Sequence, residues 1–325
     1  MKADAISQSA ICRAARMATW ADERGRADTL CVQSRPALLG DRWRALAGRL
    51  QRRRPATGLL TSRGSAGWIA HESTTLERVL TYSCNICGTS TRAAVKSLAR
   101  EGSTCRRCHS SVRWRSLIDL LSRALFGESL PISSFPTNLK TGIGISDDNA
   151  YAGRLARKLA YINTFYHQAP KLDLCVPDGA LRGSCDFVIA SDVLEHVQSP
   201  VSRALDGIYS MLRPGGVLIG SVPYALEVET TIEHFPKLHQ WQIGLRDGVH
   251  VLHNRREDGT EEVFEDLVFH GGPGATLEMR LFSQASLTAD LHAAGFTHVQ
   301  FCDHDVPEWG IVWLHPWSIP FVATK

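Results

Sequence analysis

The 325-residue chain has no run of about 18 apolar residues, so no membrane-spanning helix is predicted. Its first residues lack an apolar centre, so no secretory signal is expected and the chain is read as cytoplasmic. It has no internal repeat, which excludes a solenoid or propeller. It also has no large charge excess. Thirty-six Lys/Arg against 33 Asp/Glu give a net +3. That small excess is uneven. Residues 1–70 hold 13 Lys/Arg and 5 Asp/Glu, a local +8, which leaves residues 71–325 at −5 by subtraction. By net charge the body of the chain is not a nucleic-acid-binding surface. Residues 1–75 are expected to be a basic, disordered extension, with Arg52-Arg53-Arg54-Pro55 in its middle.

What remains is ordinary globular material, 44% hydrophobic and 21% charged. There is room for one α/β domain and a smaller module. Nine cysteines without a secretory signal argue for metal or free thiols rather than disulfides. Four of them are spaced for a metal: Cys84-Asn85-Ile86-Cys87 and, after 17 intervening residues, Cys105-Arg106-Arg107-Cys108. Two such knuckles aim four thiolates at one point, which suits tetrahedral Zn2+ in a closed, structural site. A pair of redox dithiols is the alternative, and His109 is a possible replacement for Cys108. Cys12, Cys31, Cys175, Cys185 and Cys302 have no partner spacing and read as plain thiols, with Cys175 and Cys302 buried in strands. The zinc-binding module with its following helix is placed at 76–130. An apolar stripe predicts that helix over 112–126, stopped by Gly127.

Residues 138–224 alternate strand and helix, the pattern of a doubly wound parallel sheet. Strands are predicted at 140–146, 161–167 and 172–176, with a helix at 151–159. The clearest stretch is 186–224. Phe187 to Ala190 is a buried strand, Asp192 stands as a helix N-cap, and Val201, Leu205, Ile208 and Leu212 line a helix face. Arg213-Pro214-Gly215-Gly216 stops that helix, and 217–222 is a second buried strand. Residues 225–280 break the alternation with turn signals at Arg246-Asp247-Gly248 and Glu257-Asp258-Gly259, so a small antiparallel meander is predicted there. A helix at 283–294 and strands at 299–302 and 320–324 close the chain.

The phrase Asp192-x-x-Glu195-His196-Val197, followed by Leu212-x-Pro214-Gly215-Gly216, resembles the class I S-adenosylmethionine-dependent methyltransferases. The resemblance implies a Rossmann-like sheet over 131–325 with an antiparallel terminal hairpin, and a cap inserted at 225–280. It implies S-adenosylmethionine as cofactor, held by Gly142, Gly144, Ser146 and Asp147 after the first strand. Asn163 after the second strand, Asp173 in the third and Asp192 after the fourth complete the set. Thr141 stands where the family has an acid, and the third glycine of its loop is missing. No acid ends the second strand, so ribose contacts fall to a neutral group such as Asn163 or Tyr166, or to a displaced acid. Glu195 and His196 are expected to cap and pack the next helix.

The phrases 163–167, 231–235 and 270–274 resemble a narrower bacterial group with an N-terminal four-cysteine motif, associated with glycan or natural-product pathways. This implies a small-molecule or sugar-derived acceptor. Within the insertion, His234, His270 and Glu233 are the candidates to orient or deprotonate that acceptor. Two rivals stand beside this reading. One is an RNA methyltransferase whose zinc module grips RNA; the other is a non-catalytic binding protein with a degenerate cofactor loop.

Overall fold

The computed structural model describes residues 78–325; the expected basic extension lies outside the described residues. It begins with a hairpin, β1 (Val79–Ser83) and β2 (Ser90–Ala94), which frames the first cysteine knuckle. Helix α1 (Val112–Phe126) follows where the apolar stripe predicts it. Ser111 caps it by accepting the Trp114 N–H, and Gly127 ends it with φ +74°. It packs on strands of the main sheet, and one apolar cluster runs unbroken from Tyr82 through Leu117 and Leu121 to Phe321. The module and the sheet therefore share a core.

The sheet is built from β3 (Thr141–Ile145), α2 (Asn149–Ala156), β4 (Ala160–Thr164), β5 (Cys185–Ser191), α3 (Ser202–Met211) and β6 (Leu212–Ser221). Four strands are parallel in the order β4-β3-β5-β6, because the apolar runs of β3, β5 and β6 are buried on both faces. Strand order reverses at β3, where β4 lies to one side and β5 to the other. The crevice for a ligand in such sheets opens there, at the carboxyl ends.

After β6 come β7 (Tyr224–Ala225) and β8 (Ile232–Glu233), then a meander of β9 (Gln240–Arg246), β10 (Val249–Arg255) and β11 (Glu261–Phe264). Asp247 and Gly248, at φ +52° and +78°, make the two-residue turn between β9 and β10. The hairpin β12 (Phe269–His270) and β13 (Thr276–Leu277) and strand β14 (Arg280–Ser283) complete the predicted insertion. It has its own core of Phe235, Leu252, Leu277 and Met279. Helix α4 (Gln284–Ala293) then leads to β15 (Val299–Phe301) and β16 (Phe321–Thr324). These two are antiparallel, β16 pairing with β6, as the expected terminal hairpin. No helix among the described residues is long and apolar enough to cross a membrane.

Three local expectations need correction. Residues 172–176 form no strand. Pro170 and Pro177 bracket the segment, and Asp173 accepts the Cys175 N–H at 2.8 Å, turning the chain where a strand would run straight. Leu172 and Leu174 are still buried, and Cys175 is half-buried in this turn rather than in a strand; Cys302 is buried just beyond β15. Asp192 does not cap a helix. It has φ +52°, and a short 3-10 turn at Leu194–His196 and then Pro200 delay α3 to Ser202. Finally, Arg213 to Gly216 end α3 as expected but belong to β6 itself.

Gly142 faces the ring of Phe187, which a β-carbon would overlap. Gly142→Ala is expected to destabilise the chain by roughly 1–3 kcal/mol. Gly244→Ala in β9, where a β-carbon meets nothing within 4 Å, should be near neutral. Urea denaturation of both variants checks the contrast.

Candidate functional site

The four knuckle cysteines converge. Cys84 Sγ lies 3.6 Å from Cys108 Sγ, and Cys87 Sγ 3.5 Å from Cys105 Sγ, with all four within 4.8 Å of one another. Zinc–thiolate bonds of about 2.3 Å in a tetrahedron separate sulfurs by about 3.8 Å, so the cage has zinc dimensions. The two knuckles share a backbone design. Gly88 N–H donates to the Cys84 carbonyl and His109 N–H to the Cys105 carbonyl, both residues at positive φ. The exposed His109 side chain is outside the cage, which leaves Cys108 as the fourth member.

At the end of β3 the glycines serve the protein's own packing. A β-carbon on Gly144 would overlap the Tyr161 hydroxyl and the Asp147 carboxyl. Asp147 is buried and accepts hydrogen bonds from Tyr161 at 2.6 Å and Tyr151 at 2.9 Å. Burial raises its pKa to about 7 against the pull of those two donors. Asn163 braces the same turn: its Oδ1 accepts the Asp147 N–H and its Nδ2 donates to the Asp147 carbonyl. Ser146 (φ +55°), Tyr166 and Asp173 are exposed around the crevice.

Asp192 lies at the end of β5 under two arginines of the cysteine module. Arg100 donates to both carboxylate oxygens, at 2.8 and 3.1 Å, and Arg113 lies 3.4 Å away. Arg113 also binds Ser191 and makes a two-pronged pair with Glu101 at 2.7 and 2.8 Å. Burial works against the charge on Asp192, but Arg100 and Arg113 outweigh it and hold its carboxyl far below the usual range. Sequence reasoning did not single out Arg100 or Arg113 as site residues. Only the spacing of Arg100 and Arg113 around the second knuckle hinted at their reach.

A second cluster joins β5 to the insertion. His196 Nδ1 donates to the Leu277 carbonyl at 2.7 Å, and its Nε2 lies 2.9 Å from His270 Nδ1. His270 Nε2 lies 3.0 Å from Glu278, and His234 Nε2 is 3.6 Å from the same carboxylate. Glu195 is fully buried, with its Oε1 3.5 Å from His270 Nδ1 and 3.7 Å from His196 Nε2. Among the described residues neither Glu195 oxygen has a hydrogen-bond donor. Burial, and then the nearby Asp192, push its carboxyl well above the usual range. Burial and His270 lower His196, while His234 and His270 hold Glu278 low despite its burial. Glu233 is not in this group; it pairs with the buried Arg280 at 2.6 and 3.2 Å. The structure thus brings His234 and His270 together, sets Glu233 apart, and adds Glu195 and His196, which the sequence offered only as capping residues.

Residues 140–300 match a protein-family model described as a methyltransferase domain. No curated protein matches the chain. Among solved structures, a S-adenosylmethionine-bound amino pentose methyltransferase of calicheamicin biosynthesis, CalS10 from Micromonospora echinaspora, is 13% identical. It covers 66% of this chain and 92% of its own, with a TM-score of 0.38. The 1,6-didemethyltoxoflavin-N1-methyltransferase of Burkholderia thailandensis is also 13% identical, covering 64% and 76% with a TM-score of 0.36.

Cys105→Ser is expected to cost the chain one equivalent of zinc and to destabilise the knuckle hairpin, because metal binding there is folding energy. Metal analysis after loading under reducing conditions checks it; zinc content equal to the unaltered chain would exclude the cage. Asp147 gives a pH signature. Its folded pKa of about 7 lies above the ordinary 3.8. Its contribution to stability is therefore complete below pH ~4 and lost as pH rises through ~7, a swing on the order of a few kcal/mol. Asp147→Asn should lose that decline, read as the difference in melting temperature between variant and parent from pH 4 to 8.

Proposed function

We propose that the chain is an S-adenosylmethionine-dependent methyltransferase acting on a small-molecule or sugar-derived acceptor. The observation that carries the reading is the methyltransferase-domain match over 140–300, laid on a sheet whose strand order reverses between β4 and β5. The donor set at the crevice fits the cofactor's charges. Its methionyl end is a zwitterion, and Glu101, Arg100, Arg113 and Asp192 present both signs within one partly open cluster, with Glu101 38% exposed. Arg113 and Arg100 suit the carboxylate of that end; Glu101 and Asp192 suit its ammonium. Asp173, exposed and with one oxygen taken by Cys175 N–H, is proposed to accept from the adenine amine. Gly142, Gly144, Ser146, Asp147 and Asn163 fix the loop against which the ribose lies. The buried Asp147 does this through Tyr151, Tyr161 and Asn163.

When bound, the cofactor supplies a methyl group on a sulfonium, which an in-line nucleophile displaces. The protein's task is then largely positioning. The insertion carries His234 and His270, both partly exposed, around the ionised Glu278. These histidines are proposed to orient the acceptor or take its proton. Glu233 acts on His234 only through position. Its pair with Arg280, which also donates to the Leu194 carbonyl at 2.6 Å, fixes the strand that precedes His234. Arg106 and Arg107 are exposed on the second knuckle and favour RNA as a second reading, which salt-dependent RNA binding would support.

Calorimetric titration with S-adenosylmethionine tests the reading; no binding would leave a non-catalytic binding protein. Asp173→Ala should weaken that binding several-fold, as loss of a hydrogen bond worth about 0.5–1.5 kcal/mol implies. Singly, His234→Ala and His270→Ala should lower methyl transfer to the acceptor by ~100-fold while cofactor affinity holds. Full turnover in both would remove the histidines from the chemistry.

A further inference from the structure

The seam between β5 and the insertion carries more polar chemistry than packing requires. Three potential ligand atoms meet there: His196 Nε2, His270 Nδ1 and Glu195 Oε1, all within 4.8 Å of one another. Their separations are 2.9, 3.5 and 3.7 Å. A first-row cation with bonds of about 2.0–2.2 Å sets neighbouring ligand atoms about 3.0–3.6 Å apart. The three separations span that range to within about 0.1 Å, and the two to Glu195 are too long for hydrogen bonds from either imidazole.

The tautomers point the same way. A carbonyl can only accept, so His196 Nδ1 carries its proton toward Leu277 and its Nε2 offers a lone pair. A carboxylate faces His270 Nε2 at 3.0 Å, which favours a proton there and a lone pair on Nδ1. Two lone pairs then face each other at 2.9 Å. The outer nitrogen of His196 is taken by a carbonyl and that of His270 lies 3.0 Å from the Glu278 carboxylate, whose oxygens have no hydrogen-bond donor among the described residues; such outer partners orient metal-bound histidines. Beside them sits Glu195, 0% exposed and with no donor on either oxygen among the described residues. A buried carboxyl left without a partner is costly, and a cation between the three groups would answer all of them.

We propose that Glu195, His196 and His270 bind one divalent first-row transition cation, separate from the thiolate cage. Two imidazoles and a carboxylate with open positions suit Zn2+, Mn2+, Fe2+ or Co2+ rather than Ca2+. Glu278 and the Leu277 carbonyl hold the ligands from outside. His234 lies beyond the three-atom set. The inference goes beyond the methyltransferase reading and does not need it. Glu195 and His196 come from the sheet and His270 from the insertion, so the ion would also pin the insertion in place.

The test is equilibrium dialysis of the reduced full-length chain against Co2+, followed by counting of total zinc plus cobalt and visible spectroscopy. Two equivalents are expected. Where cobalt occupies the cage it gives a sulfur-to-metal charge-transfer band; the second equivalent gives only weak ligand-field bands. His270→Ala and the near-isosteric Glu195→Gln should each lose the second equivalent and keep the cage metal, whose retention shows that the fold survives. Glu278→Gln should weaken the second site by roughly 10–100-fold. A parent chain that takes up only the cage metal would overturn the proposal, as would undiminished uptake in both ligand variants. In the first case the two imidazoles share a proton instead. Failure of the cage would be separately visible, as a missing charge-transfer band with the ligand-field bands intact.

Discussion

The geometry of the crevice depends on one largely covered charge. Asp192 projects from the end of β5 with its backbone at φ +52°, and Arg100 and Arg113 close over it from the cysteine module. Neither partner can leave without stranding the other, and breaking such a pair costs about 3–5 kcal/mol. The module cannot drift from the sheet while this contact holds. Its knuckles must also be rigid, since Arg100 and Arg113 flank Cys105 and Cys108 in sequence. Arg115 strengthens the same joint. It is fully buried, stacks over Tyr82 at 4.8 Å and donates to the carbonyls of Ser110 and Gly310. Through this joint the thiolate cage sets the position of charges at the mouth of the sheet.

The insertion is tied down by a similar logic on the other side. Arg280 is buried, paired with Glu233 and bonded to the Leu194 carbonyl, while Met279 N–H donates to the Glu195 carbonyl at 2.7 Å. The insertion's own apolar core is small, a cluster of four buried side chains. At about 1.5–3 kcal/mol each, these make a modest fold without the sheet to lean on. Polar contacts along the seam therefore do much of the fixing. They are directional, which is what a surface that must present His234 and His270 at a set angle requires.

Legibility in the sequence followed the periodicity of burial. Strands β5 and β6 and helix α1 bury continuous runs or one stripe, so their residues announced them. The two knuckles were readable because four thiolates at one metal impose a spacing. The third strand was misread because Leu172 and Leu174 alternate as a strand would. What decided the matter was side-chain hydrogen bonding by Asp173, which an apolar pattern does not record. Gly142 and Gly144 were read as room for a ligand, and the room is filled by Phe187 and Tyr161. A missing β-carbon marks a close approach without saying what approaches. The clusters were least legible of all, because Arg100 meets Asp192, and His196 meets His270, across long stretches of chain.

These two seams meet in one short phrase. Asp192 turns toward the module; Glu195 and His196, only a 3-10 turn further on, face the insertion. That turn replaces the helix the sequence implied, and the difference matters. On a helix beginning at Asp192, residues 192, 195 and 196 would share one face, at i, i+3 and i+4. With Asp192 at positive φ and α3 delayed past Pro200, the phrase instead presents its acids in two directions. The charge on Asp192 is answered by arginine, and this disfavours ionisation of Glu195 nearby unless something cationic answers it too. The end of β5 thus works as a junction: one acid fixes the lid of charge over the crevice, and the next waits on the partner that the insertion brings.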